Sequence, residues 1–152
     1  MTRPSIFEFA GGEQAFLALA AAHHRRCLLD PVLNHPFSRG THPEHVRRLA
    51  GYWGEVFGGP GGCSGTGDDH SAMLRLHAGN GMEDDLGKRF LDCFLGAIDD
   101  AGLPGDPDLR AALRAYMTWA VREVLSYSPH DARVPTGLPV PRWSWDGLEG
   151  GR

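Results

Sequence analysis

Eight histidines stand in a chain with only three cysteines, and their placement offers more chemistry than any other residue type. His77 closes the short apolar segment Met73-Leu74-Arg75-Leu76-His77, which follows a Gly58-Gly59-Pro60 break and is too short to stand alone. A neutral imidazole there can ligate a metal ion or a haem iron from one side, with the helices before and after it as walls of a cofactor pocket. His23, His24, His42, His45 and His70 could join it in a non-haem iron or zinc site within a helical bundle. Such sites usually add carboxylates in a Glu-x-x-His arrangement, and no Glu-x-x-His occurs in the sequence.

Other chemistries find less support. Cys27, Cys63 and Cys93 are odd in number, far apart and never in Cys-x-x-Cys, which argues against a disulfide framework or a zinc site; Cys27 and Cys93 read as small core hydrophobes. Ser64 and Ser71 lie in no nucleophile elbow. The run Gly58-Gly59-Pro60-Gly61-Gly62-Cys63-Ser64-Gly65 lacks the lysine of a phosphate-binding loop and reads as a connector. A net charge of −4 with scattered basic residues predicts neither a nucleic-acid nor a membrane partner. The N-terminal stretch shows no signal-peptide pattern and no membrane span, so the expected location is cytoplasmic.

Apolar residues recur at three- and four-residue steps, which makes the expected class all-α. One helix runs from Gly11-Gly12 to about Leu29, with Phe16, Leu17, Ala20, Leu28 and the pair His23-His24 broadly on one side, and Asp30-Pro31 ends it. Thr41-His42-Pro43-Glu44 reads as a capping box opening a helix whose stripe is Val46, Leu49, Ala50, Trp53 and Phe57. After the glycine-rich connector comes the short helix bearing His77, then a longer one from about Glu83 to Ala101 with Leu86, Phe90, Cys93 and Ala97 on one face. Asp106-Pro107 is a cap with proline at the first helical position, and Leu109, Leu113, Tyr116, Met117 and Ala120 give that last helix its buried side. These elements make one domain over residues 1–126. Residues 127–152, with four prolines and Trp143-Ser144-Trp145, read as an extended C-terminal tail.

The lead-in Phe7-Glu8-Phe9-Ala10-Gly11-Gly12, the second glycine pair with proline, the short histidine-bearing helix and the two long closing helices together resemble a truncated haemoglobin of the second group, over about residues 6–126. The resemblance implies a two-over-two helical sandwich around haem b. It makes His77, seven residues after His70, the proximal iron ligand. It places Phe37 against the haem and offers Arg48 and Arg75 as partners of the propionates, for which a guanidinium fork is suited. Where that family usually has an arginine just before the proximal histidine, this chain has Leu76.

The distal side departs further. His24 stands where a tyrosine is usual and Phe90 where second-group members usually have tryptophan, while His45 occupies the distal-histidine position of longer globins. Phenylalanine donates no hydrogen bond, so polar stabilisation of a bound ligand falls to His24, His45 or water. Two roles stay open for that pair: donation of N–H to a diatomic ligand, or direct coordination of the iron as a sixth ligand. His23, about 100° around the helix from His24, is expected outside the pocket or at the haem edge. The expected distal and side walls are therefore Phe37, His45, Leu49, Phe90 and His24, and the expected ligand is O2, NO or CO. Redox chemistry on nitric oxide or peroxide with a separate electron donor ranks below simple binding, enzyme status is open, and the assembly is a monomer or homodimer. The alternatives are a non-haem metal-binding bundle and a cofactor-free interaction module.

Overall fold

The computed structural model describes residues 3–31, 33, 44–59, 84–127, 133–134 and 140–149. Five helices carry the architecture among them: α1 (Ile6–Ala10), α2 (Gly12–Leu29), α3 (His45–Val56), α4 (Asp84–Asp100) and α5 (Pro107–Leu125). Two short strands follow, β1 (Trp143–Ser144) and β2 (Gly147–Leu148). Helix α2 packs on both α3 and α4, and α4 packs on α5, so two helix pairs face each other across the α2–α4 contact. The last helix begins where its sequence says it should. Asp106 accepts the Leu109 N–H at 3.0 Å, and Pro107 occupies the first turn, where a missing amide hydrogen costs nothing.

Glycine pairs make the two sharp corners. Gly11 and Gly12 have φ of 123° and 76°, a backbone that residues with a Cβ rarely adopt, so α1 turns into α2 with no intervening loop. At the end of α3 the need is for space: a Cβ on Gly59 would lie 2.8 Å from the Gly54 carbonyl oxygen and 2.8 Å from Phe7 Cδ1. The Phe7 N–H then donates to the Phe57 carbonyl at 3.0 Å, which seats α1 on the end of α3.

The core follows the expected stripes in most places. Ala50, Trp53 and Phe57 are buried from α3, and Leu109, Leu113, Tyr116, Met117 and Ala120 from α5. Phe16 stacks between Phe7 and Phe57 at centroid distances of 5.5 and 5.6 Å. Leu28 departs from expectation: it is 41% exposed, because the buried face of α2 runs through Phe16, Leu19, Ala20, His23 and Cys27 instead.

The region read as an extended tail is also different where the structure describes it. Strands β1 and β2 pair antiparallel, Trp143 opposite Leu148 and Ser144 opposite Gly147, with Gly147 at φ 109°. Trp143 is buried against Tyr116 and Trp119, and Trp145 donates its indole N–H to the Pro4 carbonyl at 2.8 Å. Arg3 lies over the Trp145 ring at 3.7 Å, and Arg142 donates to the Glu55 carbonyl oxygen at 2.8 Å. Two tryptophans supply enough apolar area to fold this short segment back onto the helices despite its prolines.

Candidate functional site

The α2–α3 crossing brings two of the expected site residues together. His24 comes from the second half of α2 and His45 from the first turn of α3, both half-buried, with ring centroids 4.9 Å apart and planes at 56°. Leu49 stands one turn along α3 from His45, half-buried and packed on the core. Phe90, on α4, is half-buried and touches both the main core and the small cluster around Cys27 and Cys93. Arg48 is exposed on α3. Phe37, Arg75 and His77 lie outside the described residues, as does His70.

His23 is a core residue. It is 2% exposed, enclosed by Phe90 at 4.4 Å, Trp53 at 5.5 Å and Phe94 at 5.8 Å between ring centroids. Its Nε2 lies 3.4 Å from the Phe90 carbonyl oxygen, to which a neutral imidazole donates, and 3.6 Å from Cys27 Sγ. The physical reason is spacing: His23 is three residues beyond Ala20 and four before Cys27, so it falls on the buried stripe of α2, and its neighbour His24 is turned toward α3.

Burial sets the protonation of these groups. His23 is lowered to about 4, mainly because the interior disfavours its cation, with nearby His24 and His45 adding repulsion against the opposing pull of the Phe90 carbonyl. His24 is lowered as well, again by burial. Both imidazoles are thus favoured in the neutral state, which keeps one nitrogen lone pair available on each ring.

This half of the site fits one face of a haem. It has two imidazoles, each able to donate a hydrogen bond or bind iron, beside the apolar side chains of Leu49 and Phe90. Among the described residues no group of three or more histidines, cysteines or carboxylates could hold a metal ion without a porphyrin, and no helix is long and apolar enough to cross a membrane. A separate charged cleft of about 350 Å³ on the α2–α4 side has Arg26, Asp30, Lys88 and Arg89 among its walls and contains none of these histidines.

The model of the bacterial-like globin family matches residues 5–124. The chain belongs to the bacterial-like globin family. As a globin it carries haem and binds gas ligands at the haem iron. Three solved structures share its fold. A haemoglobin from the thermophilic phototrophic bacterium Chloroflexus aurantiacus is 26% identical, with a TM-score of 0.69 over 80% of this chain and 98% of that one. A thermostable haemoglobin from the actinobacterium Thermobifida fusca is 24% identical, with a TM-score of 0.69 over 87% and 99%. The group II truncated haemoglobin of Bacillus anthracis is 20% identical, with a TM-score of 0.71 over 82% and 92%. A comparison with proteins of curated function found no match. The expected truncated-haemoglobin fold of this globin is therefore observed, with the C-terminal hairpin lying beyond the family match.

Proposed function

We propose that this globin holds haem b with His77 as the proximal iron ligand and binds O2, NO or CO on the face walled by His24, His45, Leu49 and Phe90. The observation that carries the reading is the meeting of His24 and His45 at 4.9 Å. Bound haem supplies an iron with an open coordination position; the chain supplies the surroundings of that position. His24 and His45 donate N–H to an electronegative ligand atom, a contribution on the order of 1 kcal/mol. Phe90 contributes apolar surface and no donor. Phe37 packs against the porphyrin, and Arg48 and Arg75 pair with its propionates. Cytoplasmic residence, a monomeric or homodimeric state, and a lesser redox activity served by a separate electron donor complete the proposal.

A second reading has the same observation in its favour: one of the two imidazoles coordinates the iron when no external ligand is present. Absorption spectra of the purified ferric and ferrous protein separate the readings. A five-coordinate ferrous spectrum supports hydrogen bonding, and a low-spin ferrous spectrum without added ligand supports internal coordination. In the second case His24→Ala or His45→Ala restores the five-coordinate form and names the ligand. Absence of a Soret band after haem reconstitution would overturn both, and His77→Ala with unchanged haem affinity would move the proximal ligand elsewhere.

A further inference from the structure

Two cysteines 66 positions apart in the sequence, Cys27 and Cys93, meet across the α2–α4 interface. Both are buried and both are free thiols. They share one small buried cluster with Leu33, closed by Leu86 and Phe90. Cys27 is 1% exposed, whereas Cys93 is 9% exposed and reaches the wall of the charged cleft. That cleft carries both signs of charge beside the sulfur, with Arg26, Lys88 and Arg89 set among Asp30, Asp85 and Asp92. Arg89 is paired there with Asp85 and Asp30, and Arg26 with Asp100, so a small zwitterion would set its carboxylate against Lys88 and its ammonium against Asp92.

We propose that Cys27 and Cys93 form a redox-active dithiol, at which a low-molecular-weight zwitterionic disulfide entering the cleft is exchanged for an intramolecular disulfide joining α2 to α4. The Cys93 sulfur attacks one sulfur of the small disulfide, whose S–S bond breaks; the departing thiolate takes the Cys93 proton. The Cys27 sulfur then attacks Cys93 in the mixed disulfide and expels the second small thiol, which takes the Cys27 proton. Two protein thiols are oxidised and one small disulfide is reduced to two thiols. Membership of one small cluster brings the two side chains into the neighbourhood from which a disulfide can close by side-chain rotation. Desolvation raises both thiols above their usual range, and the Asp30 carboxylate adds to it, so the exchange is slow at neutral pH and the reduced pair is a stable resting state. The site shares Phe90 with the proposed haem wall, and no step of the exchange passes through the haem.

The test uses the full chain as purified, fully reduced, then incubated with oxidised glutathione, blocked with an alkylating agent and mapped by mass spectrometry. Two of the three thiols should lose reactivity, and the peptides carrying Cys27 and Cys93 should appear as one cross-linked species that a reductant separates. Cys27→Ser should stop at a glutathione adduct on Cys93, and Cys93→Ser should give no cross-link. If either variant fails to fold, the map of the unsubstituted chain decides alone. A cross-link through Cys63, a glutathione adduct that never resolves to the Cys27–Cys93 bond, or three thiols still free under conditions that oxidise a control dithiol peptide would each overturn the proposal.

Discussion

Lowering the pH from about 7.5 to about 5 is expected to weaken the fold through His23 alone by about 2 kcal/mol. In the unfolded chain this imidazole titrates near its ordinary 6.5; in the folded chain burial among Trp53, Phe90 and Phe94 holds it at about 4. A histidine with a depressed folded value favours the native state fully above the unfolded value, and that advantage is lost as the pH falls toward the folded one. At pH 5 the unfolded chain is favoured by a protonation factor of about 30, and RT times its logarithm gives the 2 kcal/mol; at pH 7.5 the same factor is about 1. Replacement by phenylalanine removes the titration and suits the aromatic surroundings, at the cost of one hydrogen bond to the Phe90 carbonyl. Urea unfolding of the parent and His23→Phe at both pH values isolates the effect, because acid-sensitive groups other than its neighbours His24 and His45 contribute equally to both proteins. The parent should lose about 2 kcal/mol more than the variant between the two conditions. Equal losses would refute the assignment of His23 as a buried neutral imidazole, as would an NMR titration of its ring near 6.5.

Trp143→Ala should destabilise the protein by roughly 3 kcal/mol and lower its melting temperature by several degrees, since it empties a site packed on Tyr116 and Trp119. A change within experimental error in thermal unfolding would mean that the hairpin does not pack there in solution. Gly59→Ala should cost about 1–3 kcal/mol, because the new methyl meets a backbone carbonyl and the Phe7 ring, whereas Gly105→Ala, where nothing lies within 4 Å, should be close to neutral; denaturant titration of the pair checks the contrast.

The helical frame was legible because its punctuation is local. Gly11-Gly12, the Asp106-Pro107 cap and the apolar stripes of α3 and α5 each act through backbone sterics or a spacing of three and four, and the structure has them where those rules put them. The site was legible in part. His24 and His45 were named from the sequence and do meet, while Phe37, Arg75 and His77 lie outside the described residues. What escaped depends on contacts between residues far apart. His23 is buried only because Trp53 and Phe94 arrive from other helices to enclose it. The Cys27–Cys93 contact requires the α2–α4 packing, and the Trp143 hairpin requires a groove presented by α5. Neither partner of such a contact carries a local sign of the other.

The bond from the Trp145 indole to the Pro4 carbonyl spans 141 positions. On a ribosome the residues around Pro4 emerge before the helices, and Trp145 follows only after everything it will rest on has been synthesised. The helical sandwich can therefore assemble during translation, while the seat for Trp143 on α5 and the Pro4 carbonyl wait uncovered. Closure of the hairpin over them is the last of these packing steps, and until it happens the nascent globin leaves the apolar seat on α5 open to solvent.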